Sequence, residues 1–138
     1  MEPALVLVIE DDAALVHAVE RNLAVRGYVT RSAATVEEAI SAVGKECPSL
    51  LLLDIELPDG SGWEVLRALR GGPCKDVPVI VISAMRPSTR LVQELRCVAV
   101  LEKPFPIESL MRLIGEQLGG RRHPTSFEAG MERGTSNA

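Results

Sequence analysis

Residues 50–62 read LLLLDIELPDGSG, and the first five of them decide the fold. Four leucines in a row show no alternation with polar residues. Both faces of such a segment are covered, as in the strands of a parallel sheet. The run ends on a carboxylate, Asp54, and the ELPDGSG that follows supplies turn chemistry. Two similar apolar runs occupy residues 4–9 (ALVLVI) and 77–82 (VPVIVI). Pro78 stands near the start of the second, where a missing backbone donor is tolerated. Weaker strands fit residues 28–32 and 98–101.

Between these runs the apolar period changes to that of a helix. Residues 13–26 put Leu15, Val16, Val19 and Leu23 on one stripe, and Gly27 follows as a stop. Residues 35–45 open on Thr35, with Glu38 three places on, which predicts a capping box. Residues 61–70 turn Val65, Leu66 and Leu69 inward before Gly71-Gly72-Pro73 ends the helix. Residues 88–96 and 107–118 complete five βα units. This order predicts an α/β, doubly wound parallel sheet, with right-handed crossovers putting helices on both faces. Helix 4 is squeezed into a short segment and is expected to be short or irregular.

The chain has 138 residues, enough for one domain with its own core. Fifteen Lys+Arg against 19 Asp+Glu leave a formal charge of −4, which argues against direct nucleic-acid binding. Apolar runs are too short to span a bilayer, and no signal peptide is read at the start, so a cytoplasmic location without membrane insertion is expected. Cys47, Cys74 and Cys97 have neither metal-ligand spacing nor an even count. They are read as three free thiols in a reducing compartment. Residues 119–138 are rich in glycine and lack periodicity, so a disordered tail or linker is expected there.

In open α/β sheets, function gathers at the carboxyl ends of the strands. The first strand runs into Glu10, Asp11 and Asp12, and the third into Asp54, with Glu56 two residues later. The fourth runs into Ser83 and the fifth into Lys103. Clustered acids repel one another, and a cation relieves them. Hard oxygen donors favour Mg²⁺. Lys103 and the Ser83 hydroxyl suit phosphoryl oxygens, which makes Asp54 the expected nucleophile of a phosphoryl transfer. Asp12 suits a helix cap better than a ligand role, and Trp63 is expected to pack half-buried near the acids.

Four segments in order, LVIEDD (7–12), LLLDIELPDGSGWEVLRALR (51–70), VIVISA (79–84) and LEKPF (101–105), resemble the receiver domain of bacterial two-component response regulators. The resemblance covers residues 4–118. It implies a flavodoxin-like five-stranded sheet in the order 2-1-3-4-5, a receiver domain over residues 1–118, and a phosphorelay protein, not an enzyme. It further implies that Asp54 accepts a phosphoryl group from a sensor histidine kinase or phosphotransfer protein. Asp11 would ligate Mg²⁺ with Asp54, Glu10 would hold a bound water, and Glu56 would offer its backbone carbonyl. Ser83 and Lys103 would act in catalysis and switching, and the Lys103–Pro104 bond would be cis. The downstream protein is not named by any motif, and a monomer or weak dimer is expected.

Two positions depart from the family pattern. Residues 96–99 lack the glycine usual before the last strand, and Val100 stands where an aromatic is common. They lend weight to an alternative, a receiver fold used only for phosphorylation-independent docking. A phosphatase of the haloacid dehalogenase type is a further alternative, because Asp54-Ile55-Glu56 imitates its nucleophile–acid spacing. Against that reading, the chain has no cap domain and its other acids lie upstream.

Overall fold

A computed structural model describes residues 2–119. The elements follow as β1 (Leu5–Ile9), α1 (Ala13–Val25), β2 (Val29–Ala33), α2 (Val36–Lys45), β3 (Leu50–Asp54), β4 (Glu56–Leu57), β5 (Gly60–Ser61), α3 (Gly62–Arg70), β6 (Val79–Ser83), α4 (Thr89–Glu94), β7 (Ala99–Glu102) and α5 (Ile107–Leu118). Five strands form a parallel sheet in the order β2-β1-β3-β6-β7. Counting only these strands, that is the expected 2-1-3-4-5. The small antiparallel β4–β5 hairpin was not expected, because two-residue strands carry no periodicity. The expected tail lies outside the described residues apart from Gly119, which is buried at the end of α5.

The sheet separates two apolar layers. Val6, Val8, Leu50, Leu52, Ile80 and Ile82 face α1 and α5, which contribute Val19, Leu23, Leu110 and Ile114. Leu7, Ile9, Leu51, Leu53, Val79 and Val81 face α2 and α3, which contribute Ala39, Val65, Leu66 and Leu69. All five residues of β3 and of β6 are buried, as strands covered on both faces require. Among the described residues no helix is long and apolar enough to cross a membrane.

Helix ends follow side-chain chemistry, with one correction. Asp12 caps α1 through Ala14 N–H and Leu15 N–H, as its residue type suggests. Thr35 caps α2 by accepting from Glu38 N–H, but Glu38 reaches back to Ala34 N–H at 2.9 Å, not to the cap's own N–H. The capping box forms instead at α3, where Ser61 and Glu64 exchange hydrogen bonds.

The cysteine expectation is overturned. Cys47 and Cys74 form a disulfide, with their Cα atoms 5.6 Å apart and a separation of 27 positions in sequence. α2 and α3 lie on one side of the sheet, so the loops that follow them end at the same edge. That proximity is a product of topology and has no spacing signature. Only Cys97 is free, so the thiol argument for a reducing compartment no longer holds.

α4 has six residues and no buried side chain, as short as its segment demanded. Its end is fixed by Arg70, whose guanidinium donates to the carbonyls of Leu95, Lys75, Val77 and Arg96 at 2.7–3.1 Å. Arg96 stands at φ 60°, the left-handed region that a glycine would enter without strain. Its side chain pairs with Asp76 and donates to the Lys75 carbonyl. One arginine thus ties α3, the approach to β6 and the approach to β7. Urea unfolding of Arg70→Ala is expected to show a loss of about 2 kcal/mol, since charged hydrogen bonds to the part-buried Leu95 and Val77 carbonyls are broken. Arg96→Gly is expected to stay within about 1 kcal/mol of the wild type, relief of backbone strain offsetting the lost pair.

Candidate functional site

The carboxyl ends of β1, β3, β6 and β7 deliver the expected residues to one edge of the sheet. Glu10 and Asp54 are buried, at 2% and 3% exposure, while Asp11 is exposed. Ile9 pairs with Leu53 in the ladder, which brings the ends of β1 and β3 level. On the other side of β3, Asp54 pairs with Ile82, and Ser83 pairs with Glu102. Lys103 N–H then donates to the Ser83 carbonyl at 2.8 Å, extending the ladder to the lysine.

Lys103 enters the acids as their cation. Its Nζ lies 2.7 Å from Glu10 Oε1 and 2.9 Å from Asp54 Oδ2. The contact with Asp54 is a hydrogen bond, whereas Glu10 Oε1 has an ion-pair partner but no aligned donor. Glu10 Oε2 accepts from Asp12 N–H at 3.1 Å, and Asp54 Oδ1 accepts from Glu56 N–H at 3.0 Å. Burial raises the Glu10 pKa to about 7, and the neighbouring Asp54 adds to the rise, against the lowering effects of Lys103 and Asp12 N–H. For Lys103, burial disfavours the charged form, but the two carboxylates outweigh it and the pKa is raised. The Lys103–Pro104 peptide is cis, as the resemblance implies.

One carboxylate oxygen each from Glu10, Asp11 and Asp54 falls within a 4.8 Å cluster. Three acids and one ammonium leave a negative balance at a buried edge, which suits a divalent cation. Ser83 is buried one strand away, and its hydroxyl accepts from Met85 N–H at 3.1 Å. Glu56 turns its side chain to solvent, and its backbone N–H is the group that donates to Asp54. Trp63 is half-buried against the α2–α3 layer. His17 is exposed and away from the cluster in sequence.

Two residues beneath the site were not legible as functional. Gly62 opens α3 so close to β3 that a Cβ there would overlap the Asp54 carbonyl oxygen and come within 2.9 Å of Ile55 Cα. Its N–H donates to the Ile55 carbonyl at 2.7 Å. Glycine is required by this approach, beyond simple loop freedom. Asp59, in the turn between β4 and β5, accepts from Val36 N–H at 2.7 Å and from Glu37 N–H at 3.2 Å. It caps α2 from more than 20 residues away, a contact that only the folded loop creates. The loop after Asp54 is thus clamped to α3 at one end and to α2 at the other.

The Val36 N–H holds the Asp59 carboxyl below the ordinary aspartate value of 3.8 against an opposing burial effect, and the Glu37 N–H adds a lesser lowering. A depressed folded pKa gives stabilisation that is complete above the unfolded value and lost as pH falls through the folded one. Asp59→Ala is therefore expected to lower the melting temperature at neutral pH. Thermal scans at falling pH are expected to show the gap to the wild type closing below about pH 3.8.

The model of the response regulator receiver domain matches residues 6–115. The transcriptional regulatory protein KdpE of Mycobacterium tuberculosis H37Rv is 40% identical over 109 residues, covering 78% of this chain and 47% of that protein. The response regulator MprA of the same strain is 34% identical over 108 residues, covering 77% and 46%. The chain thus spans about half the length of these relatives. Among solved structures, a CheY-like receiver domain protein from Methanospirillum hungatei JF-1 aligns with a TM-score of 0.78 at 26% identity, covering 87% of this chain and 97% of that one. A response regulator from Chloroflexus aurantiacus J-10-fl aligns at 0.76 and 27% identity, covering 86% and 99%.

Proposed function

The chain belongs to the response regulator receiver domain family of two-component signalling, and from that premise we propose that it is a phosphoacceptor whose acceptor is Asp54. The observation that carries the reading is the placement of Lys103 Nζ 2.9 Å from Asp54 Oδ2 inside an acidic cluster. An isolated carboxylate at a strand end would be solvated. This one is buried, oriented by Glu56 N–H and faced by an ammonium.

In the proposed reaction an Asp54 carboxylate oxygen attacks the phosphorus of a donor phosphohistidine. A P–O bond forms, the P–N bond breaks, and its electron pair leaves with the imidazole. Lys103 and the Ser83 hydroxyl face the phosphoryl oxygens and offset their charge. Glu10 keeps Lys103 at the site, and Glu56 N–H fixes the carboxylate plane. Glu10, Asp11, Asp54 and the Glu56 backbone carbonyl are the donors that would hold Mg²⁺. When bound, that ion supplies charge neutralisation between the carboxylates and the incoming phosphoryl group.

The donor partner is a histidine kinase or a phosphotransfer protein, and the recipient of the signal is another protein or a domain beyond residue 118. KdpE is a transcriptional regulatory protein by name. The negative balance of this chain supports an output through protein contacts. Val100, 38% exposed on β7, leaves that strand without the bulky side chain that family members swing inward. The residue range 1–118 is proposed as the complete receiver unit, and a cytoplasmic setting follows from partnership with a kinase.

Intact-mass spectrometry after incubation with acetyl phosphate and Mg²⁺ tests the reading. The wild type is expected to gain one phosphoryl group, and Asp54→Asn and metal-chelated samples none. Lys103→Ala is expected to slow labelling about tenfold or more, by loss of charge stabilisation. Unlabelled wild type, or Asp54→Asn labelled as fast as the wild type, would favour a docking module without phosphorylation.

A further inference from the structure

The two helices on one side of the sheet are held together differently at their two ends. At the N-terminal ends the hold is non-covalent and close. Asp59 caps α2, and a Cβ on Gly60 would meet Val36 Cγ2 at 3.3 Å. At the C-terminal ends the helices part. A cleft of about 180 Å³ lies between them, lined by Ile40, Val43, Val65, Ala68, Leu69 and Pro73. On the α2 side, Gly44 has open space where a side chain would stand. The Cys47–Cys74 bond crosses at this end, joining the segment after α2 to the segment after α3. The covalent closure stands beside the cleft, which Cys74 itself lines.

The two sulfurs have unequal surroundings. Cys47 is exposed, whereas Cys74 is 5% exposed and belongs to the apolar layer with Ala39, Val65 and Leu69. We propose that the Cys47–Cys74 disulfide is a reversible redox latch, opened by a dithiol reductant at Cys47, that sets whether the C-terminal ends of α2 and α3 are joined. A thiolate of the dithiol attacks the Cys47 sulfur. The protein S–S bond breaks, and its electron pair leaves on the Cys74 sulfur, which takes a proton from water. The second thiol of the reductant then attacks the mixed disulfide and frees Cys47 as a thiol. Two electrons pass to the protein, and the dithiol ends as a disulfide. An oxidising disulfide reverses both steps.

Opening the latch removes a cross-link over 27 residues and leaves the cleft to separate. The sheet is not crossed by the bond, so β3 and the acidic edge stay in place. Cys97 does not compete. It is half-buried, and burial pushes its thiol up, only partly countered by the Arg70 charge, so it forms thiolate reluctantly.

The test uses the full chain in buffers of graded reduced-to-oxidised dithiothreitol, quenched with N-ethylmaleimide and read by intact mass and peptide mapping. Hydrogen exchange is measured on the two end states. Two forms differing by two alkylated cysteines, mapped to Cys47 and Cys74, are expected to interconvert without denaturant. Amides in residues 43–48 and 69–74 are expected to exchange about tenfold faster or more in the reduced form, with residues 50–54 unchanged. Cys47→Ser is expected to give the reduced pattern under oxidising conditions. Three results would each overturn the proposal: both cysteines alkylated in the most oxidising buffer, a bond reduced only after unfolding, or identical exchange in the two forms.

Discussion

Everything at the candidate site depends on one ammonium group placed between two buried carboxylates. Taking an isolated carboxylate out of water costs several kcal/mol, and two side by side cost more because they repel. Lys103 answers both, at 2.7 Å from Glu10 and 2.9 Å from Asp54. It does not answer them fully. Asp11 stands at the rim of the same cluster, Glu10 keeps an oxygen without an aligned donor, and its pKa stays near 7. A site with one positive charge among three acids remains short of cations. That shortage is the physical basis for reading it as a place where a divalent ion and a phosphoryl group meet.

The fold serves this arrangement by making the strand ends coincide. Five parallel strands in register present their carboxyl ends on one edge, and the crossover helices cover both faces without covering that edge. Below the acids, Gly62 lets α3 begin against the backbone of Asp54, and Asp59 fixes the same loop to α2. The carboxylate is therefore oriented by groups that cannot move independently of the helices. At the far edge of the sheet the same helix pair is closed by a disulfide, and Arg70 binds the approach to β6 and β7. At that edge a covalent bond and side-chain donors on carbonyls join segments that are distant in sequence.

Legibility in the sequence followed the range of the interaction. Uniform leucine and valine runs identify buried strands because burial on both faces leaves no room for polar residues. α5 begins and ends at the expected residues because a one-sided apolar stripe is an equally local signal. The acids, Ser83 and Lys103 were legible as a group because each ends an apolar run, and strand ends share an edge in this architecture. What escaped was set by distance. The Asp59 cap spans more than 20 residues, the Arg70 clip reaches 25 residues to Leu95, and Cys74 meets Cys47 only after two crossovers. The glutamate of the α2 cap turned to a neighbouring N–H, a difference of one residue that side-chain reach decides and spacing does not.

The claim that Lys103 leaves this cluster short of positive charge is tested most directly by calorimetric titration of Mg²⁺ at low ionic strength. The account predicts a single site in the wild type and affinity reduced about tenfold or more in Asp11→Ala. It also predicts affinity in Lys103→Ala at least equal to that of the wild type, because the ammonium competes for the same oxygens. Binding that is indifferent to Asp11→Ala, or that disappears in a folded Lys103→Ala, would contradict it.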